Sequence, residues 1–116
     1  MSQRSKRVSE AIRREASVII KDELKDPRIG FITVTKAAIT EDLRSAVIYY
    51  SILGDEKIKE AAIAGLKSAL PFIKKEIGKR INLRYAPDIK LKVDETLDYA
   101  EKIENIIKKI KNEKKG

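Results

Sequence analysis

The chain predicts an α+β fold built around one small mixed sheet. Two stretches rich in β-branched residues, 31–38 and 45–53, follow one another across a short polar loop. A third, 89–93, alternates apolar and charged side chains. Around these lie segments whose apolar residues recur every three or four positions, the period of a helix with one buried face. The order is helix, strand, strand, helix, helix, strand, helix. Consecutive strands with helices gathered on one face are α+β rather than an alternating α/β sheet.

The first helix spans about residues 3–25, with Val8, Ile12, Ala16, Ile19, Ile20 and Leu24 on one stripe. It ends before Pro27, whose ring disfavours helical geometry at Asp26. Residues 26–30 then form a turn in which Arg28 serves as a cap, a brace or a ligand contact. Residues 31–38 make a strand, 40–44 a hairpin loop, and 45–53 the antiparallel partner, in which one of Tyr49 and Tyr50 is buried. Gly54-Asp55 caps a helix that starts near Glu56 and buries Ile58, Ala62, Gly65, Leu66 and Ala69. Pro71 lacks a backbone N–H and crowds the preceding turn, so the helix bends or restarts there. The second piece turns Phe72, Ile73, Ile77 and Ile81 inward. After the strand at 89–93, a last helix over 96–110 buries Tyr99, Ile103, Ile106, Ile107 and Ile110.

At 116 residues the chain makes one domain. It has 26 Lys and Arg against 18 Asp and Glu, a net +8 that favours a polyanionic partner, nucleic acid before membrane. It has no cysteine and no histidine, which removes the thiol nucleophile, the thiolate metal site and the commonest general base. The paired acids at 41–42, 55–56 and 94–95 sit at loops or helix starts, where they favour the helix dipole rather than form a catalytic dyad. No phosphate-cradling glycine loop is present. The chain is therefore expected to be non-enzymatic and cytoplasmic, without cofactor, metal or membrane span.

The charge is concentrated. Residues 67–84 hold Lys67, Lys74, Lys75, Lys79, Arg80 and Arg84 against the single acid Glu76, a net +5 in 18 residues. Cations three and four apart on a helix make a stripe that can follow a phosphate backbone, and arginine adds bidentate contacts to phosphate oxygens. Six such contacts would give a slope of log K against log salt of roughly −4 to −5. A second group, Arg4, Arg7, Arg13 and Arg14 with Lys6, lies near the start of the first helix and is partly offset by Glu10 and Glu15. Both groups also fit a merely solvated charged face. Among the aromatics, Phe31, Phe72 and Tyr99 are assigned to the core, which leaves Tyr85, beside Arg84, as the plausible base-stacking residue.

The element order, with a break between two middle helices, resembles a type II KH domain. Such domains hold RNA with a GxxG loop, which this sequence lacks. More specific stretches are Arg4-x-x-Arg7-Val8-x-Glu10-x-Ile12, Asp26-Pro27-Arg28-Ile29-Gly30-Phe31, Asp42-Leu43-Arg44-Ser45-Ala46, Leu83-Arg84-x-x-Pro87-Asp88-Ile89 and Asp94-Glu95-Thr96. Together these resemble the bacterial ribosome-binding factor A family over nearly the whole chain. The resemblance makes the single domain, over residues 1–110, KH-like; the lysine run at its end reads as a flexible basic tail over 111–116, and a monomer is expected. It implies a factor that binds the small (30S) ribosomal subunit and 16S rRNA in late maturation and rRNA 5′-end processing, is tied to growth in the cold, and is released with a GTPase. In that family an Ala-x-Gly kink replaces the GxxG loop. The matching residues here are Ala69, Leu70 and Pro71, with proline where glycine is expected. Proline keeps a bend but adds bulk and removes an N–H at the point of closest RNA approach.

Two other roles fit the residues alone. A general duplex binder would take DNA and RNA alike. A protein-interaction module would leave the isoleucines of the last helix exposed to a partner.

Overall fold

The computed structural model describes residues 2–96, 106–108 and 110. Helix α1, Gln3–Val18, starts where the Ser2 hydroxyl accepts the Ser5 N–H at 3.1 Å. Its stripe is buried at Ile12 and Ala16. The helical run does not end as an α-helix. Residues Ile19–Glu23 widen into a single π-turn, with the Leu24 N–H reaching back to the Ile19 carbonyl at 3.1 Å. Both Ile19 and Ile20 are buried in this turn. In the turn that follows, the Asp26 carboxylate accepts the Arg28 N–H at 2.9 Å and pairs with the Arg28 guanidinium at 2.6 Å. Arg28 is therefore the brace of this turn, and the pairing holds the Asp26 carboxyl below its ordinary range.

Strand β1 (Phe31–Ile39) pairs antiparallel with β2 (Ser45–Leu53), with a register shift between Val34 and Lys36. In the loop between them, the Asp42 side chain accepts the Thr40 hydroxyl at 2.5 Å and the Arg44 N–H at 3.1 Å. Leu43 sits at φ 61, so this tight loop places a branched side chain in the left-handed region. Strand β3 (Asp88–Val93) lies parallel to β2, from Ser45↔Asp88 to Tyr50↔Val93. Parallel neighbours need a crossover, and helix α2 (Glu56–Arg80) supplies it. The sheet order is β1-β2-β3, three strands of mixed direction, as expected.

The strands bury one face. On β2 that face holds Ala46, Ile48, Tyr50 and Ile52, and α1, the π-turn and α2 cover it with Ile12, Ile19, Leu66, Ile73 and Ile77. The opposite face carries Lys36, Tyr49 and Lys92 and is not covered by either helix. At the end of β3, Asp94 is buried and accepts the Thr35 hydroxyl at 2.6 Å and the Thr96 N–H at 3.1 Å, tying the sheet's outer strands together. These bonds, the Thr35 hydroxyl foremost, hold its carboxyl below the ordinary aspartate range. A carboxylate whose folded pKa is depressed adds stability that is present above its unfolded pKa and disappears as pH falls through the folded one. Thermal stability of Asp94→Asn should therefore be lower than wild type at neutral pH, and the gap should close below about pH 4. A pH series of melting curves checks this.

Five assignments from the sequence are corrected here. Helix α2 is unbroken over 25 residues, so the two helices expected on either side of Pro71 are one. Proline removes one intrahelical bond, to the carbonyl four residues back at Lys67, while Leu66 before it and Ile73 after it are both buried in the core. Phe31 is 77% exposed, because its register with Leu53 places both on the uncovered sheet face. Phe72 is exposed beside buried Ile73, since adjacent helix positions differ by about 100°. Ile58 is exposed in the first turn of α2, ahead of the point where that helix meets the core. Ile106, Ile107 and Ile110 are helical and exposed rather than buried, because α1 and α2 already close the described core without them. Tyr99, Ile103 and the tail at 111–116 lie outside the described residues.

Pro71 lies inside helix α2, so replacing it by alanine should stabilise the domain. The N–H regained can bond the Lys67 carbonyl, and proline inside a helix costs about 3 kcal/mol relative to alanine. A rise of about 1–3 kcal/mol in denaturant unfolding is expected. A loss would mean that the ring itself is required.

Candidate nucleic-acid interface

Helix α2 sorts its cations by angle. Its buried stripe is Ala62, Gly65, Leu66, Ile73 and Ile77. Gly65 lies against the Asp26–Ile29 turn, where an added Cβ would come within 2.9 Å of the Ile29 side chain. This close approach sets how α2 crosses the fold. Lys67, Lys74 and Lys75, seven and eight residues apart, share the outer arc. Lys67 and Lys75 are exposed and have no carboxylate partner among the described residues. Lys74 Nζ lies 3.2 Å from Asp88 at the start of β3. Lys79 Nζ lies 3.8 Å from Glu76 one turn before it.

Arg80 does not belong to this arc. It follows Ile77 by three and Ile73 by seven, which turns it toward the side of the helix that faces α1, at the exposed end of the buried stripe. There its guanidinium meets Glu23 of the π-turn, Glu15 of α1 at 3.4 Å and Glu76 at 3.3 Å. These carboxylates, Glu23 foremost, raise its pKa further above an already high value. Arg80 therefore bridges α1, the π-turn and α2 through these carboxylates. Arg13 is likewise tied to Glu10, and the pair stabilises both charged forms. Arg7 and Arg14, seven apart on the outer side of α1, are exposed and have no carboxylate partner among the described residues.

Arg4 and Arg84, assigned to separate groups by the sequence, come together. They line one cleft of about 340 Å³ with Asp42, Arg44 and Tyr85. The Arg44 guanidinium carbon lies 5.4 Å from the Tyr85 ring centre and that of Arg84 5.6 Å, both cation–π distances. Asp88 links the cleft to α2: its backbone N–H bonds the Arg44 carbonyl at 2.8 Å while its side chain meets Lys74. The α2 cations thus lead toward the cleft at one end of the sheet. Ala69 and Leu70 are half-buried and Pro71 exposed, all within regular helix, and none has the positive φ of a glycine loop.

Arg44 was missed by sequence reasoning. Its stretch reads as an ordinary polar loop, and only the Asp42 cap and the return of β3 beside it direct the side chain at Tyr85.

The family profile described as Ribosome-binding factor A matches residues 4–107. The chain belongs to the ribosome-binding factor A family. Relatives bearing that name are 42% identical in Geobacter sulfurreducens, over 98% of this chain and 97% of the relative, and 45% identical in Macrococcus caseolyticus, over 98% and 100%. A Thermotoga maritima solution structure described as a putative ribosome binding factor A superposes with a TM-score of 0.67 at 26% identity, covering 78% of this chain and 87% of that one. The crystal structure of ribosome-binding factor A from Thermus thermophilus shares the fold at a TM-score of 0.65 and 21% identity, over 75% and 92%. A Thermus thermophilus coordinate set fitted into a map of a 30S complex also shares the fold, at 0.55 and 20% identity, over 78% and 91%. The residues that match the family's kink, Ala69, Leu70 and Pro71, lie in this chain inside helix α2.

Proposed function

We propose that this chain is a non-catalytic assembly factor that binds the small ribosomal subunit through 16S rRNA during late maturation, as the rRNA 5′ end is processed. It acts as a cytoplasmic monomer, and a GTPase promotes its release. Membership of the family over nearly the whole chain supports the ribosomal partner. The Thermus homologue whose coordinates were fitted into a 30S complex supports the small subunit. The observation that carries RNA contact is the outward arc of Lys67, Lys74 and Lys75 leading to the cleft of Arg4, Arg44 and Arg84. Cations rooted on one helix and at one end of the sheet can meet several phosphates together, and counterion release makes that binding favourable and salt-dependent.

The test is co-sedimentation. The full chain should travel with small subunits, release with rising salt, and leave assembled 70S particles alone. Equal binding to DNA duplex and to subunits would show a general nucleic-acid binder instead. Exposed Ile106, Ile107 and Ile110 favour a protein partner for the C-terminal helix as a second role. Changing these three to Ser should then leave RNA binding intact and weaken the small-subunit complex.

A further inference from the structure

We propose that the cleft between Arg4, Arg44 and Arg84 is a clamp for a backbone phosphate of an unpaired RNA strand, with Tyr85 as the residue that positions two of its arginines. The inference rests on the RNA-partner reading above and deepens it by naming the subsite. The three arginines come from three separate parts of the fold: the first turn of α1, the β1–β2 loop, and the link from α2 to β3. Each has a fixed root. Ser2 caps the turn that carries Arg4. The backbone of Arg44 is held on both sides, its N–H by Asp42 and its carbonyl by Asp88. Arg84 and Arg44 both lie against the ring of Tyr85.

Unlike Arg13, Arg28 and Arg80, none of these three has an ion pair with a described residue. The one acid on the cleft, Asp42, is occupied by the Thr40 hydroxyl and the Arg44 N–H. Three guanidinium groups in one concave site, with Asp42 acting on Arg44 only through space and not as an ion pair, are short of negative charge, and their planar donors match phosphate oxygens. Concavity argues for a single strand, since a duplex presents its phosphates on a convex surface. Tyr85, 56% exposed, leaves part of its ring open to a neighbouring base.

Binding of a labelled 12-nucleotide oligouridylate to the full chain, with an RNA duplex of equal length alongside, tests the clamp. The single strand should bind more tightly than the duplex. Arg44→Ala with Arg84→Ala should weaken its binding at least tenfold without lowering the melting temperature. Arg4→Ala, in an exposed first turn, gives a second variant should that pair misfold. Tyr85→Leu should weaken binding several-fold, and Tyr85→Phe, which keeps the ring face, should restore it. Failure of the wild-type chain to bind the oligouridylate, a loss of less than twofold in the arginine variants, or equal binding of the duplex would each overturn the clamp. Co-sedimentation of wild type with small subunits separates the two ideas: if it persists while the arginine variants bind oligouridylate normally, only the clamp falls.

Discussion

Lys67→Glu with Lys75→Glu lowers affinity for small ribosomal subunits by about 100-fold and leaves the melting temperature nearly unchanged. Each reversal removes one charge-assisted contact and sets a carboxylate against a phosphate, a change of roughly tenfold per site. The two lysines are exposed on the outer arc of α2 and have no ion pair with a described residue, so the fold does not depend on them. Arg80→Ala supplies the contrast. It removes the clasp joining Glu15, Glu23 and Glu76 and leaves three carboxylates facing one another, so it should lower the melting temperature while costing little affinity in the folded fraction. Lys74 is a poorer choice for reversal, since its partner Asp88 would then face a second acid at the edge of the cleft. Full binding by the Lys67/Lys75 variant would remove the α2 arc from the RNA contact.

Ile73→Ala costs about 2–5 kcal/mol, the range for deleting a fully buried aliphatic side chain with incomplete collapse of the space left behind. A domain of this length has roughly 6–17 kcal/mol in total. The melting temperature should fall by about 10–25 °C. Ile73 stands two residues past Pro71 and anchors the second half of α2 to the core where the proline has removed a backbone bond. Phe72→Ala, on the exposed side, should change stability by less than about 1 kcal/mol. Equal losses in the two variants would mean that α2 is not held in the way described.

Much of this was legible from the residues alone. The Ser45–Leu53 strand and the start of α2 at Glu56 fall where alternation and the Asp55 cap place them. The α1 stripe is buried as its spacing requires. The misses have a common cause. Phe31, Ile58, Phe72 and the C-terminal isoleucines fall on apolar stripes or strand faces in the sequence and are exposed in the structure. Apolarity says what a residue tolerates, whereas burial depends on whether another element arrives to cover it. The site shows the same division. Net charge located the basic stretch at 67–84, but charge on a chain carries no direction. Arg80 and Lys75, five residues apart, point to opposite sides of one helix, one to three carboxylates and the other to solvent.

By itself the sequence determined the α+β class, the position of the strands, the buried stripes and the family, because period, capping and motif are local properties that survive without a folded partner. Only the tertiary structure decided that Pro71 lies within one continuous helix, that Arg80 is a clasp, and that Arg4, Arg44 and Arg84 meet around Tyr85. Those facts depend on distances between residues far apart along the chain, set when β3 returns beside β2 and the C-terminal half of α2 packs against α1 and the π-turn.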